Sequence, residues 1–287
     1  MDWSHLTLCI LNAHFSYTAT ILNIVTIYAI VKTSSLSKNF KTLLLSLAVS
    51  DLGVGSLAQP LFAAHIMDSK QNNETMNKSS NAINILFYTP TDTFISASLF
   101  SVTALCADRY LAIYLHLRYQ ELVTHKDVTI AATSIWVFSA LTSLLSFWIS
   151  TNIMVAYYAI RNFSCIITAT SLSVKLKQTL RHHITQIQIP QEAQNHLVES
   201  VQRNRKSAMA SLYVYLVFIV CYLPSICVLI TIATISEPRN DLQHLNSYTL
   251  TLVFLNSTLN PLIYCWKLKQ IRKTVTGKLR DVFSRHT

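Results

Sequence analysis

The sequence predicts an all-α membrane protein: a seven-transmembrane helix bundle followed by a short amphipathic C-terminal helix. Three observations carry this prediction. Hydrophobic residues make up 51% of the 287 positions and charged residues 13%, against roughly one-quarter charged residues in an average soluble domain. The weakly charged stretches are each about 20 residues or longer, enough for a helix to cross a hydrocarbon core. The lysines and arginines cluster on alternate connecting segments, as they do when one side of a membrane is cytoplasmic.

The first span covers 9–31, includes Asn23 and runs into Lys32, Lys38 and Lys41, which mark its inner end. The second covers 40–67, with Asp51 near its middle and Pro60 beyond; an acid at membrane depth is a functional hypothesis by default. Asn73-Glu74-Thr75 and Asn77-Lys78-Ser79 follow, two glycosylation acceptor patterns in the polar segment that the lysines of the first loop assign to the outside. The third span, 82–114, contains Asp108-Arg109-Tyr110 near its inner end, and the fourth, 128–149, surrounds Trp136.

The fifth span, 152–174, must accommodate Arg161 and Asn162. Treating 152–165 as an outer loop instead leaves about ten apolar residues, too few to cross a bilayer. A buried arginine costs about 2.5 kcal/mol or more unless an acid or water inside the bundle meets it. The segment 175–207 reads as a cytoplasmic loop extending the flanking helices. The sixth span, 208–235, holds Phe218, Tyr222 and Pro224, and the seventh, 245–266, ends in Asn260-Pro261-Leu262-Ile263-Tyr264. In 267–283 the apolar Ile271, Val275, Leu279 and Val282 recur on one face of a basic amphipathic helix.

Charge tests this topology. Lys70, Lys78 and Arg239 fall outside and Arg161 within a span, while every other one of the 23 Lys and Arg lies on a segment assigned inside. The bias places the N-terminus outside and the C-terminus inside, hence an odd number of crossings. It also assigns the net charge of +10 to cytoplasmic loops, and no nucleic-acid partner is expected. Gly53, Gly55 and Gly277 are the only glycines, so a Gly-rich phosphate loop is ruled out. The six cysteines show no metal-ligand spacing and imply no disulfide framework. The N-terminus lacks a basic n-region, and the first span is expected to do the targeting.

Asn23, Asp51, Asp108-Arg109-Tyr110, Trp136, Pro224, Asn260-Pro261 and Tyr264, in this order and at these depths, resemble the landmark pattern of rhodopsin-like (class A) G-protein-coupled receptors over nearly the whole chain. The resemblance implies a plasma-membrane receptor that binds an extracellular ligand and activates a heterotrimeric G protein, with no enzymatic chemistry and the lipid bilayer around it. It assigns G-protein coupling to Asp108, Arg109 and Tyr110, against the plainer reading of a charged helix end. It makes Phe218, Tyr222, Pro224, Asn260, Pro261 and Tyr264 an activation switch, although Phe218 and Tyr222 could equally be packing residues. Around Asp51 it sets Ser98, Asn256, Ser257 and Asn260 as a sodium site; the alternative is a polar cluster that ties helices together. No other cofactor is implied.

Departures from the family pattern are equally informative. Asn84 stands where most relatives have the cysteine bonded to the second outer loop, Tyr222 where a tryptophan is usual, and the fifth span lacks its customary proline and tyrosine, with Ser173-Val174 near its inner end. The missing bridge and short outer loop are similar to the melanocortin and the related lipid or adenosine-type branches. The acids that hold calcium in melanocortin receptors are unmatched, and no calcium site is expected. Asp92 lies one residue, about 100° of helix, beyond Thr91, the position of the amine-receptor acid. It is read either as the structural partner of Arg161 or as a ligand anchor with Tyr88, Thr91 and Tyr222.

Competing classes have weaker support. An opsin needs a lysine in the seventh span, which has none. A transporter reading could recruit Asp51, Asp92 and Arg161, but the two halves show no repeat. The altered fifth span motivates a further alternative, a degenerate or constitutively active receptor.

Overall fold

A computed structural model describes residues 3–71, 79–115, 118–145, 148–186, 194–235 and 240–284. Every regular element among them is a helix: α1 (Trp3–Lys32), α2 (Lys38–Gly53), a π-helical turn (Val54–Ala58), α3 (Gln59–Gln71), α4 (Ser79–Tyr114), α5 (Tyr119–Leu122), α6 (His125–Leu145), α7 (Thr151–Gln186), α8 (Gln194–Thr234), α9 (Asn240–Lys267) and α10 (Lys269–Ser284). Helices are what hydrocarbon permits, because each backbone N–H and C=O must find its partner inside the protein. Asn73 and Asn77 lie outside the described residues.

α4 runs through the middle, against α2, α3, α6, α7 and α8, and α9 packs on α1 and α8. Five helical segments are apolar enough by themselves to span a membrane: His5–Lys32, Lys38–Met67, His125–Leu145, Asn152–Arg181 and Arg205–Thr234. α4 and α9, the expected third and seventh spans, do not reach that threshold among the described residues. Neighbouring helices shield them from lipid, so both can carry polar side chains such as Ser96, Ser98, Ser101, Asn256 and Asn260, all buried. Lipid-facing α6 shows the reverse, with Val137, Phe138, Leu141 and Leu144 exposed.

As expected of 175–207, the flanking helices continue into it: α7 runs past 174 to Gln186 and α8 begins at Gln194. α6, the helix of the expected fourth span, ends at Leu145, and part of the mixed segment after Tyr114 folds into α5. Thr124 and Asp127 start α6 with a reciprocal cap: Thr124 donates from its N (3.0 Å) and Oγ1 (2.7 Å) to Asp127 Oδ2, and Asp127 N donates back to Thr124 Oγ1 at 3.3 Å.

The second crossing is interrupted. Pro60 has no N–H for the carbonyl of Ser56 and its ring crowds that carbonyl, and the wider π-helical turn just before it relieves the clash. Ser16 of α1 donates to the Gly55 carbonyl in that turn at 2.7 Å. α1 comes so close that a Cβ on Gly55 would stand 2.9 Å from Ala19 Cβ and 3.0 Å from the Thr20 backbone N.

Other buried hydrogen bonds bind helices in pairs. Asn12 donates to Thr251 (3.0 Å), Trp136 to Ser46 (3.1 Å), and Ser46 pairs with Ser101 at 3.0 Å. Gly55→Val is expected to force α1 outward and lower the unfolding free energy in detergent by about 1–3 kcal/mol. Gly277, with open space around it, should accept alanine without loss. Thermal unfolding of both purified variants checks the contrast.

Candidate functional site

Near its C-terminal end, α4 presents Asp108 and Arg109, with Arg109 only 2% exposed. Arg109 Nε donates to Asp108 Oδ2 at 2.9 Å and Nη2 to the same oxygen. Nη1 donates to Ser207 Oγ of α8 at 3.0 Å, and the guanidinium carbon lies 4.3 Å above the Phe40 ring of α2. Asp108 Oδ1 accepts from the Tyr119 hydroxyl of α5, which itself accepts from Asn39 Nδ2 at 3.0 Å. Burial and the Asp108 charge push the Tyr119 hydroxyl up to about 12, so it stays a neutral donor at physiological pH. Tyr110 stacks on Tyr114 (5.4 Å) and packs with Ile113, Leu176, Leu180, Ala208 and Leu212, between α4, α7 and α8.

Asn39, Phe40, Tyr119 and Ser207 are the members of this network that reading the sequence missed. Nothing local marks them, apart from the single aromatic residue between Arg118 and Glu121. Each enters only because four helices converge at Arg109.

Halfway through the bundle, Asp51 is fully buried and accepts from Ser98 Oγ at 3.1 Å and Asn260 Nδ2 at 2.7 Å. Asn256 is buried with neither amide atom hydrogen-bonded, and Asn260 Oδ1, Asn23 Oδ1 and the Tyr264 hydroxyl also lack partners among the described residues. Pro261 deprives the Ser257 carbonyl of its helical donor, and Asn23 Nδ2 supplies one at 3.0 Å. Phe218 and Tyr222, both buried, lie 4.3 Å apart centre to centre on α8, within two turns of Pro224.

Toward the end of the bundle opposite Arg109, a cavity of about 110 Å³ opens between α4, α7, α8 and α9. It is bordered by Tyr88, Thr91, Asp92, Arg161, Tyr222 and Asn246, among others. All four residues named as candidate ligand contacts from sequence therefore line one space, Tyr88 half-exposed and the others buried. The alternative for Asp92 also holds, because Arg161 Nη1 donates to Asp92 Oδ1 at 2.8 Å. Ser96 and Ser143 complete the pair, Ser143 donating to Asp92 Oδ2 at 2.8 Å. Tyr158 and Tyr157 flank the guanidinium at 5.0 and 5.4 Å.

Removing one partner of a buried ion pair strands the other charge, which typically costs about 3–5 kcal/mol, whereas a neutral replacement of both can cost little. Arg161→Met should therefore lower stability by about that amount, and adding Asp92→Asn should restore most of it. Chemical or thermal unfolding of the two variants in detergent measures the difference.

The comparisons with known proteins agree with this geometry. The family described as 7 transmembrane receptor (rhodopsin family) matches residues 22–264. The chain is 30% identical over 262 residues to melanocortin receptor 4 of Danio rerio, covering 88% of this chain and 77% of that receptor. It is 30% identical over 188 residues to melanocortin receptor 5 of Ovis aries, covering 63% and 55%, and 28% identical over 262 residues to melanocortin receptor 5 of Homo sapiens, covering 88% and 78%. A bundle whose polar residues converge at Asp51 and Arg109, and whose sequence matches over nearly its full length, belongs to the rhodopsin family of seven-transmembrane receptors, in its melanocortin branch.

Proposed function

We propose that this receptor sits in the plasma membrane with its N-terminus outside, takes an extracellular ligand into the outer cavity and promotes nucleotide exchange on a heterotrimeric G protein. The observation that carries the proposal is Arg109, a full positive charge held inside the protein by Asp108, Ser207 and Phe40. A charge that served only to end a helix at the interface would lie in water. Here it bridges α4 and α8, so separating the inner end of α8 from α4 would free it for a partner.

Activation is then a shift between two bundle arrangements, with the ligand and the G protein favouring the same one. Tyr119 holds Asp108 on one side, Tyr110 fills the seam between α4, α7 and α8, and Ser207 fastens α8. Pro224 and Pro261 weaken the helical hydrogen-bond ladder of α8 and α9 where each would have to bend. Phe218 and Tyr222 link the cavity wall to that bend, and Tyr264, with an unpaired buried hydroxyl, has hydrogen-bonding capacity to spend in the second arrangement.

We also infer a sodium ion as modulator in the resting arrangement. Asp51 is a buried acid with no cation beside it among the described residues, and the unpartnered oxygens of Asn256 and Asn260 suit a hard cation. Asp51, Ser98, Asn256, Ser257 and Asn260 would hold the ion, which would supply the missing positive charge.

Three measurements of exchange by a purified heterotrimer on receptor in lipid discs test this reading. Ser207→Ala should raise basal exchange about tenfold, the equivalent of one charge-assisted hydrogen bond of about 1.5 kcal/mol, while Arg109→Ala at equal receptor amount should abolish it. Replacing potassium by sodium should lower basal exchange of wild type by about fivefold or more and leave Asp51→Asn unaffected. Exchange that ignores Arg109→Ala rules out the coupling role. Ion flux that depends on Asp51 would instead favour a transporter, and full exchange whatever is added outside would favour a constitutively active receptor.

A further inference from the structure

The outer cavity has an imbalance of hydrogen-bonding groups that identifies what it can hold. The carboxylate of Asp92 is committed: Oδ1 accepts from Arg161 Nη1 (2.8 Å) and Ser96 Oγ (3.2 Å), and Oδ2 from Ser143 Oγ (2.8 Å). Donors are in surplus. Arg161 uses Nη1 for Asp92 and Ser96 and Nε for Asn162 Oδ1 at 3.3 Å, while Nη2 finds no acceptor among the described residues. Thr91 belongs to the same cavity wall, is only 4% exposed, and its buried Oγ1 likewise finds no partner among the described residues. The rest of the wall is largely apolar, including Phe87, Ile95, Leu229, Leu250 and Val253.

We propose that the cavity between α4, α7, α8 and α9 takes an uncharged ligand with an apolar body and a carbonyl-type oxygen, which accepts from Arg161 Nη2 and Thr91 Oγ1. A cationic group is disfavoured because the one acid in the wall is already shared by Arg161 and two serines, and the guanidinium repels a second cation. A carboxylate fares little better. Its attraction to Arg161 and its repulsion from Asp92 act over similar distances and largely cancel, which leaves the loss of its hydration unopposed. A neutral oxygen satisfies the spare donors without adding charge to a buried neutral pair.

This inference rests on the proposed ligand role of the cavity, but binding can be read without any G protein. Four probes sharing one benzyl body serve: N-benzylacetamide (neutral carbonyl), phenylacetate (carboxylate), benzylamine (ammonium) and toluene (no polar group). Each is titrated against the full-length receptor in lipid discs by ligand-observed NMR. The amide should bind about tenfold or more tightly than the other three. That preference should fall about tenfold in Asp92→Asn/Arg161→Met, which keeps the pair neutral, and should fall clearly in Thr91→Val, which breaks no hydrogen bond within the protein. Tighter binding of the ammonium or carboxylate overturns the proposal. So does an amide affinity unchanged in the double variant, and so does the absence of any binding at millimolar concentration, which would leave a water-filled space. Failure of nucleotide exchange with amide binding intact would count only against the signalling role.

Discussion

The low dielectric of the membrane interior governs this fold: a charge placed there must be met by another group of the protein, because water is not at hand. α4 carries that requirement at both ends. In its N-terminal half Asp92 pairs with Arg161 of α7, and near its C-terminal end Arg109 pairs with its neighbour Asp108 and reaches Ser207 of α8. From residue 92 to 109 a helix rises roughly 25 Å, close to the hydrocarbon thickness of about 30 Å. The two pairs thus sit toward opposite faces on one central rod, with Asp51 of α2 facing the stretch between them through Ser98.

The inner and outer pairs differ in a way that matters for movement. Asp92 and Arg161 are on different helices and lock α4 to α7, with Ser143 adding α6. Asp108 and Arg109 are adjacent in one helix, so their attraction survives any rigid motion of α4. Across to α8, Arg109 reaches the uncharged Ser207 hydroxyl through a charge-assisted hydrogen bond, beside apolar contacts. One end of the bundle is tied across helices by a buried ion pair and the other by a bond from an ion to a hydroxyl.

Proline placement follows the same logic. Each proline in a span frees a carbonyl, and the protein meets the cost differently: the π-helical turn and the nearby Ser16 bond accommodate Pro60, and Asn23 answers the carbonyl freed by Pro261. Around Asp51, unpartnered amide and hydroxyl groups among the described residues mark an interior region where polar capacity exceeds what the protein uses.

Length, low charge and long apolar stretches sufficed to read a bundle of membrane helices from the sequence, because hydrocarbon thickness and backbone hydrogen bonding leave few alternatives. Asp51, Asp108, Arg109 and Asn260 stood out in the sequence because polar residues are expensive at that depth, and the structure buries all four with polar partners. Tertiary structure alone decided which groups meet. That Arg161 turns to Asp92, that Tyr119 and Ser207 close on the Asp108–Arg109 pair, and that Asp92 is spent while Arg161 Nη2 finds no acceptor among the described residues, all depend on helix rotation and on contacts between residues far apart in the chain. Local sequence fixes what a helix carries, whereas the direction each side chain faces is set by the neighbours that shield it from lipid.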